Sequence, residues 1–262
     1  MLLRLAVWTI LAFLIGPLLI IVLFSFHATP SLSFPFTGAS LRWYGELFGN
    51  SQLGAAVIKS LMIAFFTALV TLVLGATASL AWLRFGRIGR GIIEAVSITP
   101  IALPGLFVGV SLLVLFAQAG VQLSSVTIVI SHVVVAIPIV IMAMRARLAL
   151  FDRSLEEAAR DLGASQMQTF RRVTLPMIAP TLISAAILAF AASFDEFVVT
   201  SFVAGTETTL PMYIWSMMRR TVTPLINAIS TLALAFSILI LLGAWAAGHV
   251  RRHAAIASRT KS

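Results

Sequence analysis

The sequence contains no cysteine and little charge. Without cysteine, its 262 residues can form neither a disulfide framework nor a thiolate metal site. Charged residues make up 10% of the chain, where a soluble domain carries about a quarter. That is too little charge to cover a water-facing surface, so a soluble globular fold is excluded. Disorder is excluded as well, because 60% of the residues are hydrophobic and the mean hydropathy is +1.05. Nucleotide and hydrolytic signatures are also missing. There is no G-x-x-x-x-G-K-[ST] loop, and Gly86, Gly89 and Gly91 with Arg87 and Arg90 read as a turn rather than a phosphate cradle. There is no His-Glu-x-x-His pattern, and Gly109-Val110-Ser111 lacks the second glycine of a nucleophile elbow. His132, beside Ser131, reads as a polar contact between helices. No catalytic residue and no metal ligand set is read from the sequence.

What the sequence does have is long uncharged runs. A helix needs about 20 mostly apolar residues to cross the hydrocarbon of a bilayer. Such runs fall at 5–26, 58–83, 96–117, 126–144, 177–203 and 226–249, which predicts six spans and an all-α membrane protein formed as one domain over 1–262. The uncharged stretch from Ala95 to Met144 is too long for one crossing. It divides at Gln118 to Gln122 and Ser124-Ser125. The first run exceeds the roughly 7–15 apolar residues of a signal-peptide core and is followed by no clear cleavage site, so it reads as a membrane helix.

An even number of spans puts both termini on one side. With that side in the cytoplasm, Arg42, Lys59, Arg219 and Arg220 fall outside and the other fourteen of the eighteen basic residues fall inside. This is the bias of the positive-inside rule. It also accounts for the net charge of +9 without nucleic acid, since the charge is spread over every inner edge rather than gathered on one face.

The inner segment between spans four and five, 145–175, is long for a connector and holds four acids (Asp152, Glu156, Glu157, Asp161) and six arginines. Ser154 with Glu157 predicts a capping box opening a short helix through Ala158, Ala159 and Leu162, which Gly163 closes. Ser165 with Gln168 predicts a second box, opening a helix through Phe170 and Val173 that stops before Pro176. Met167, Phe170 and Val173 would give it an apolar stripe. The two short helices form either a compact docking element or an amphipathic hairpin on the headgroups.

Glu157-Ala158-Ala159, three residues, Gly163, nine residues, then Val173-x-Leu175-Pro176 resembles the EAA loop of inner-membrane permease subunits of binding-protein-dependent ABC importers. Phe34-Pro35 with Ser40 to Tyr44, Ser193 to Val199, and Thr223-Pro224-x-x-Asn227-Ala228 are similar to the spermidine/putrescine-type branch. The resemblance implies the type I importer permease fold. It implies an ATPase-coupling loop carried by Glu157, Ala158, Ala159, Gly163, Ser165, Leu175 and Pro176. The chain itself would bind no cofactor, with ATP and Mg on a separate pair of ABC ATPase subunits. A second permease subunit, a periplasmic solute-binding protein and membrane lipid would be its other partners, in a bacterial inner membrane. The solute implied is a polyamine such as putrescine or spermidine, with an opine, 4-aminobutyrate or an aminophosphonate as alternatives within the same role. An ion-coupled secondary transporter is the rival class, but no repeat between the halves supports it.

Pro100, Pro104, Gly105 and Gly109, and Pro138 in the next run, would loosen their helices, although Gly105-x-x-x-Gly109 equally suits close packing. Asp195 and Glu196 are the only acids inside a predicted span. Intramembrane carboxylates are expensive and mark pathways, so the pair is the candidate lining for a cationic solute.

The charge asymmetry predicts that a topology reporter placed after Gly163 or at Ser262 reads cytoplasmic, and one placed near Gly38 or Thr208 reads periplasmic. A periplasmic reading at Ser262 would overturn the six-span topology.

Overall fold

The computed structural model describes residues 2–30, 36, 38–220, 223–239 and 242. They are predominantly helical: α1 (Leu2–Ser25), α2 (Arg42–Phe48), α3 (Ser51–Arg84), α4 (Arg87–Ala102), α5 (Gly105–Gln118), α6 (Ser125–Ala149), α7 (Ser154–Asp161), α8 (Gln166–Thr169), a π-helical turn (Phe170–Thr174), α9 (Leu175–Asp195), α10 (Val198–Val203), α11 (Leu210–Met218) and α12 (Pro224–Leu239). Among the described residues the only extended pairing is an isolated antiparallel bridge between His27 and Ala39. Among the described residues, four helices are long and apolar enough to cross a membrane singly: Leu3–Ser25, Ser51–Arg84, Ser125–Ala149 and Gln166–Asp195. The α4–α5 pair makes up to five if it is one span. α12 is shorter, and the rest of the run predicted to end at 249 lies outside the described residues, as do His249, Arg251, Arg252, His253, Arg259, Lys261, Ser262, Phe34 and Pro35.

Two predicted spans are broken. The run 96–117 is not one helix, because α4 and α5 meet at a bend of 112°. Pro104 cannot donate to a helical ladder and forces Leu103 before it into extended backbone (φ −94°, ψ 133°), so the ladder stops and restarts. The run 177–203 breaks at Glu196, which is also extended (φ −71°, ψ 112°) and separates α9 from α10.

The described residues form two compact units. One comprises the described parts of 1–58 and 209–243, and the other comprises 59–208. In the first, Trp43 of α2 is buried and donates its indole N–H to His27 O at 2.6 Å. Ser25 Oγ lies 2.7 Å from Tyr44 Oη, tying α2 to the end of α1. Asn50 caps α3 by accepting from Leu53 N at 3.0 Å while its amide donates to Tyr213 Oη of α11 at 2.8 Å. α1 is apolar on every side, yet only 6% of its apolar stretch is buried within the chain. A helix like that is solvated by lipid or by another subunit.

In the second unit α6 is the central element. Ala136, Val140, Met144 and Leu148 of α6 pack with Ile178, Ala185 and Ala189 of α9 and Ala68 of α3. Small residues set how closely these helices approach, since dispersion contacts rather than water exclusion hold helices together in lipid. At Gly75 of α3 a Cβ would sit 2.7 Å from Val140 Cγ1. At Gly109 of α5 it would sit 2.6 Å from Phe202 Cδ2 and 3.3 Å from Val199 Cα of α10. The Gly105-x-x-x-Gly109 pair is thus a seat for α10.

Gly109→Ala is therefore expected to destabilise the protein by about 1–3 kcal/mol through overpacking. Gly54→Ala, whose Cβ would meet nothing within 4 Å, should be neutral or stabilising by up to about 1 kcal/mol, as expected for removing a glycine from a helix. Unfolding midpoints of the two purified variants check this, and equal midpoints would contradict the close contact.

Candidate functional site

The EAA-like segment folds from the end of α6 to the start of α9. Asp152 Oδ1 accepts from Ser154 N at 3.0 Å, and hydrogen bonding from the Ser154 side chain, then from its backbone N–H, holds the exposed Asp152 carboxyl below its ordinary range. The predicted Ser154–Glu157 capping box does not form. Ser154 is already the first helical residue, Arg153 before it has helical backbone (φ −69°, ψ −21°), and the carboxylate of Asp152 takes the cap instead. An ionised acceptor beside the positive end of a helix outcompetes a hydroxyl. The second box does form: Gln168 N donates to Ser165 Oγ at 3.3 Å and Ser165 N donates to Gln168 Oε1 at 2.9 Å.

Gly163 joins the two short helices with φ +84°. Its N–H bonds Arg160 O at 2.8 Å and the next N–H, of Ala164, bonds Ala159 O at 3.0 Å, which is a Schellman closure of α7. A Cβ at Gly163 would meet nothing within 4 Å, so the demand there is conformational and not steric. Glu157 and Ala158 are exposed and Ala159 is half-buried. Leu162 and Met167 are 89% and 65% exposed, an apolar edge left uncovered by the chain.

The helix predicted to stop before Pro176 instead continues, giving one run from Gln166 to Asp195. Pro176 lies in the first turn of α9, and the π-helical turn just before it absorbs the register change that a proline imposes on an α-ladder. Leu175 and Pro176 are exposed. Glu156 was not singled out from the sequence, yet its carboxylate accepts a hydrogen bond from the buried Thr174 hydroxyl and so fixes α7 to the base of α9. Neighbouring glutamates gave no sign of which one would turn inward. Beside this joint lies a cavity of about 670 Å³ walled by Arg84, Arg153, Arg160, Glu156, Glu157 and Phe170.

The second site is the break between α9 and α10. Asp195 and Glu196 separate in role there. Glu196 Oε1 accepts from Val199 N at 2.9 Å, capping α10, and Glu196 O accepts from Thr200 Oγ1 at 2.7 Å. Asp195, the last residue of α9, is exposed, and its carboxylate has no hydrogen bond or ion pair among the described residues. Other acids outside the EAA-like segment are neutralised: Glu46 by Arg42 at 2.7 Å, Glu94 by Arg145 at 2.8 Å, and Glu207 by Lys59 at 2.8 Å. The Lys59 hydrogen bond holds the Glu207 carboxyl below its ordinary value.

His132 of α6 lies against the same break. Its Nδ1 is 2.7 Å from Ser193 Oγ and its Nε2 is 2.7 Å from Thr200 Oγ1, all three residues being buried. The sequence reading of His132 as a helix–helix contact matches this geometry. No group of three or more His, Cys, Asp or Glu placed to hold a metal occurs among the described residues.

Comparison with known proteins places this architecture. The chain is 40% identical over 230 residues to the putrescine transport system permease protein PotI of Escherichia coli (strain K12), covering 85% of this chain and 82% of that one. It is 34% identical over 232 residues to the spermidine/putrescine transport system permease protein PotC of Haemophilus influenzae, covering 88% and 90%. Among solved structures, the fold is similar to that of a bacterial ABC transporter involved in the import of the acidic polysaccharide alginate, with TM-score 0.67, 14% identity and 92% of each chain covered. It is also similar to an inward-facing MetNI methionine ABC transporter, with TM-score 0.62, 18% identity, and coverage of 73% of this chain and 92% of that one. The fold is that of the type I ABC importer permeases, whose subunits are multi-pass and non-catalytic. Residues 71–255 match the binding-protein-dependent transport system inner membrane component family, and the chain belongs to it.

Proposed function

We propose that this chain forms half of the translocation path for a polyamine such as putrescine or spermidine. Its 1–262 domain would span the membrane six times with both termini cytoplasmic. A second permease subunit would supply the other half, a periplasmic binding protein would deliver the solute, and a separate pair of ATPases would hold ATP and Mg. The segment 145–175, with Glu157, Ala158, Ala159, Gly163, Ser165, Leu175 and Pro176, is the element that would dock on an ATPase. Its exposed Leu162 and Met167 suit burial in a partner's cleft.

The observation that carries the solute class is the unpaired carboxylate of Asp195. An ionised acid in a span costs on the order of 2.5–3.5 kcal/mol at the membrane centre. Its place at a helix C-terminus adds repulsion from the carbonyl end of the dipole. A carboxylate kept there without a cationic side chain among the described residues is suited to receive a mobile cation, and an alkyl ammonium fits that need. The names of the relatives agree with this chemistry. Glu196, committed to capping α10, is the structural member of the pair.

Asp195→Asn should slow putrescine uptake by about ten- to a hundredfold, the equivalent of losing a charged hydrogen bond of about 1.5–3 kcal/mol. Glu196→Gln keeps an acceptor for Val199 N and should stay within about threefold of wild type, an effect under 1 kcal/mol. Uptake assays of amines against opines, 4-aminobutyrate and aminophosphonates in the reconstituted importer test the solute class. Normal putrescine uptake in Asp195→Asn would remove the argument for a cation.

For the docking element, Gly163→Val forces a β-branched residue to positive φ and should abolish solute-stimulated ATP hydrolysis while the permease still inserts. Gly163→Asn tolerates that backbone better and should retain part of the stimulation. Stimulation equal to wild type in the valine variant would contradict docking through this segment.

A further inference from the structure

His132, Ser193, Thr200 and Glu196 form a chain of hydrogen bonds whose direction can be deduced. Thr200 Oγ1 lies 2.7 Å from the carbonyl oxygen of Glu196, which can only accept. The single hydroxyl proton of Thr200 is therefore used there, and its bond to His132 Nε2 must be one in which the imidazole donates. With Nε2 protonated in the neutral ring, Nδ1 accepts, so the Ser193 hydroxyl donates to it. The chain runs in one direction: Ser193 O–H to Nδ1, Nε2–H to Thr200 Oγ1, Thr200 O–H to Glu196 C=O. It starts in the last turn of α9, crosses to α6, reaches α10, and ends on the backbone of the residue after Asp195.

The surroundings make this arrangement rigid. His132 is 2% exposed, Ser193 5% and Thr200 0%, so water cannot substitute for any of the bonds. Thr127, five residues earlier on α6, shares its hydroxyl proton between Ser124 O at 2.7 Å and Val203 O at 2.8 Å, linking the far end of α10 to the same helix. Gly105 and Gly109 of α5 hold the other face of α10 in close contact. The helix break is thus held from both sides. The carboxylate of Asp195, beside this clamp, is left without a partner among the described residues.

We propose that His132, as the neutral Nε2–H tautomer, is a positioning residue for solute recognition: it clamps Ser193 and Thr200 across the α9–α10 break and so fixes where Asp195 is presented. This rests on the assignment of Asp195 to the path. Helix breaks expose backbone carbonyls that a membrane interior cannot satisfy, and side chains that pair them determine the break's geometry. A carboxylate meeting one ammonium of a diamine must be placed to within a fraction of an ångström relative to whatever receives the other end. The clamp therefore acts on which chain length is accepted, more than on whether the protein folds.

The test uses the assembled importer in proteoliposomes, with uptake of diamines of three to six carbons measured per assembled complex. His132→Leu keeps the volume and removes both bonds. Its half-saturation concentration for putrescine should rise roughly tenfold, the equivalent of about 1.4 kcal/mol, with a flattened chain-length profile and little change in maximal rate. His132→Gln, which retains one donor and one acceptor, should restore the profile. The decisive measurement is the double variant. If His132 acts through Asp195, adding His132→Leu to Asp195→Asn costs nothing further, whereas a merely structural role gives independent, multiplying losses. Multiplying losses, or a wild-type profile in His132→Leu while Asp195→Asn is impaired, would overturn the positioning role. Should His132→Leu fail to accumulate, Thr200→Val, nearly isosteric and lacking the hydroxyl, decides the question by the same cycle. If Asp195→Asn alone leaves diamine uptake unchanged, what fails is the placement of Asp195 in the path.

Discussion

In a bilayer every backbone N–H and C=O must find a partner inside the protein, because the hydrocarbon offers none. An unbroken helix meets that demand by itself, so each interruption in this chain requires a specific remedy. At Pro104 the remedy is a sharp bend between α4 and α5, with the chain restarting its ladder at once. At Pro176 it is a π-helical turn that lets the helix run on. At Glu196 it is a set of side chains: a carboxylate on Val199 N, a hydroxyl on the Glu196 carbonyl, and a histidine locking that hydroxyl. At these interruptions the backbone leaves its own ladder and side chains take over its pairing.

The same constraint explains why α6 is central. Its buried face carries both kinds of contact that hold helices together without water. Toward α3 and α9 it presents aliphatic side chains against small residues, with Gly75 admitting Val140 and alanines at 185 and 189 admitting close approach. Toward α10 it presents Thr127 and His132, whose hydrogen bonds are specific in direction. Dispersion fixes the distance between these helices, and the polar pairs fix the register. The short α10, which has too few residues to be stable alone, exists because α5 and α6 hold it.

At the opposite end of α9 the EAA-like segment is built on different physics. Its two short helices are mostly exposed and depend on local devices: the Asp152 cap, the Schellman turn at Gly163 and the Ser165–Gln168 box. Its attachment to the body comes through Glu156 on Thr174 and through the unbroken run from Gln166 into α9. The helical run that leaves the EAA-like segment at Gln166 ends at Asp195, so the segment and the exposed carboxylate lie at the two ends of one run. Both are consistent with an inner-membrane component of a binding-protein-dependent transport system.

The sequence by itself determined whatever depends on composition and on short-range spacing. Uncharged runs located the membrane-crossing segments, because their hydropathy is local, although it did not show where Pro104 and Glu196 break two of them. Gly163 announced its positive φ and Ser165 its capping box, because each is settled within a few residues. The fixed spacing around Glu157-Ala158-Ala159 pointed to the family. What only the tertiary structure decided were outcomes of competition between distant or near-equivalent groups. Asp152 rather than Ser154 caps α7, and Glu156 rather than Glu157 turns toward Thr174. Asp195 and Glu196 were indistinguishable as neighbours in a predicted span. They part only because the chain breaks between α9 and α10, which turns one into a cap and leaves the other free. That break is bridged by His132, more than sixty residues away in sequence. No periodicity in the sequence encodes it, since a hydrogen bond between helices leaves no pattern along either one.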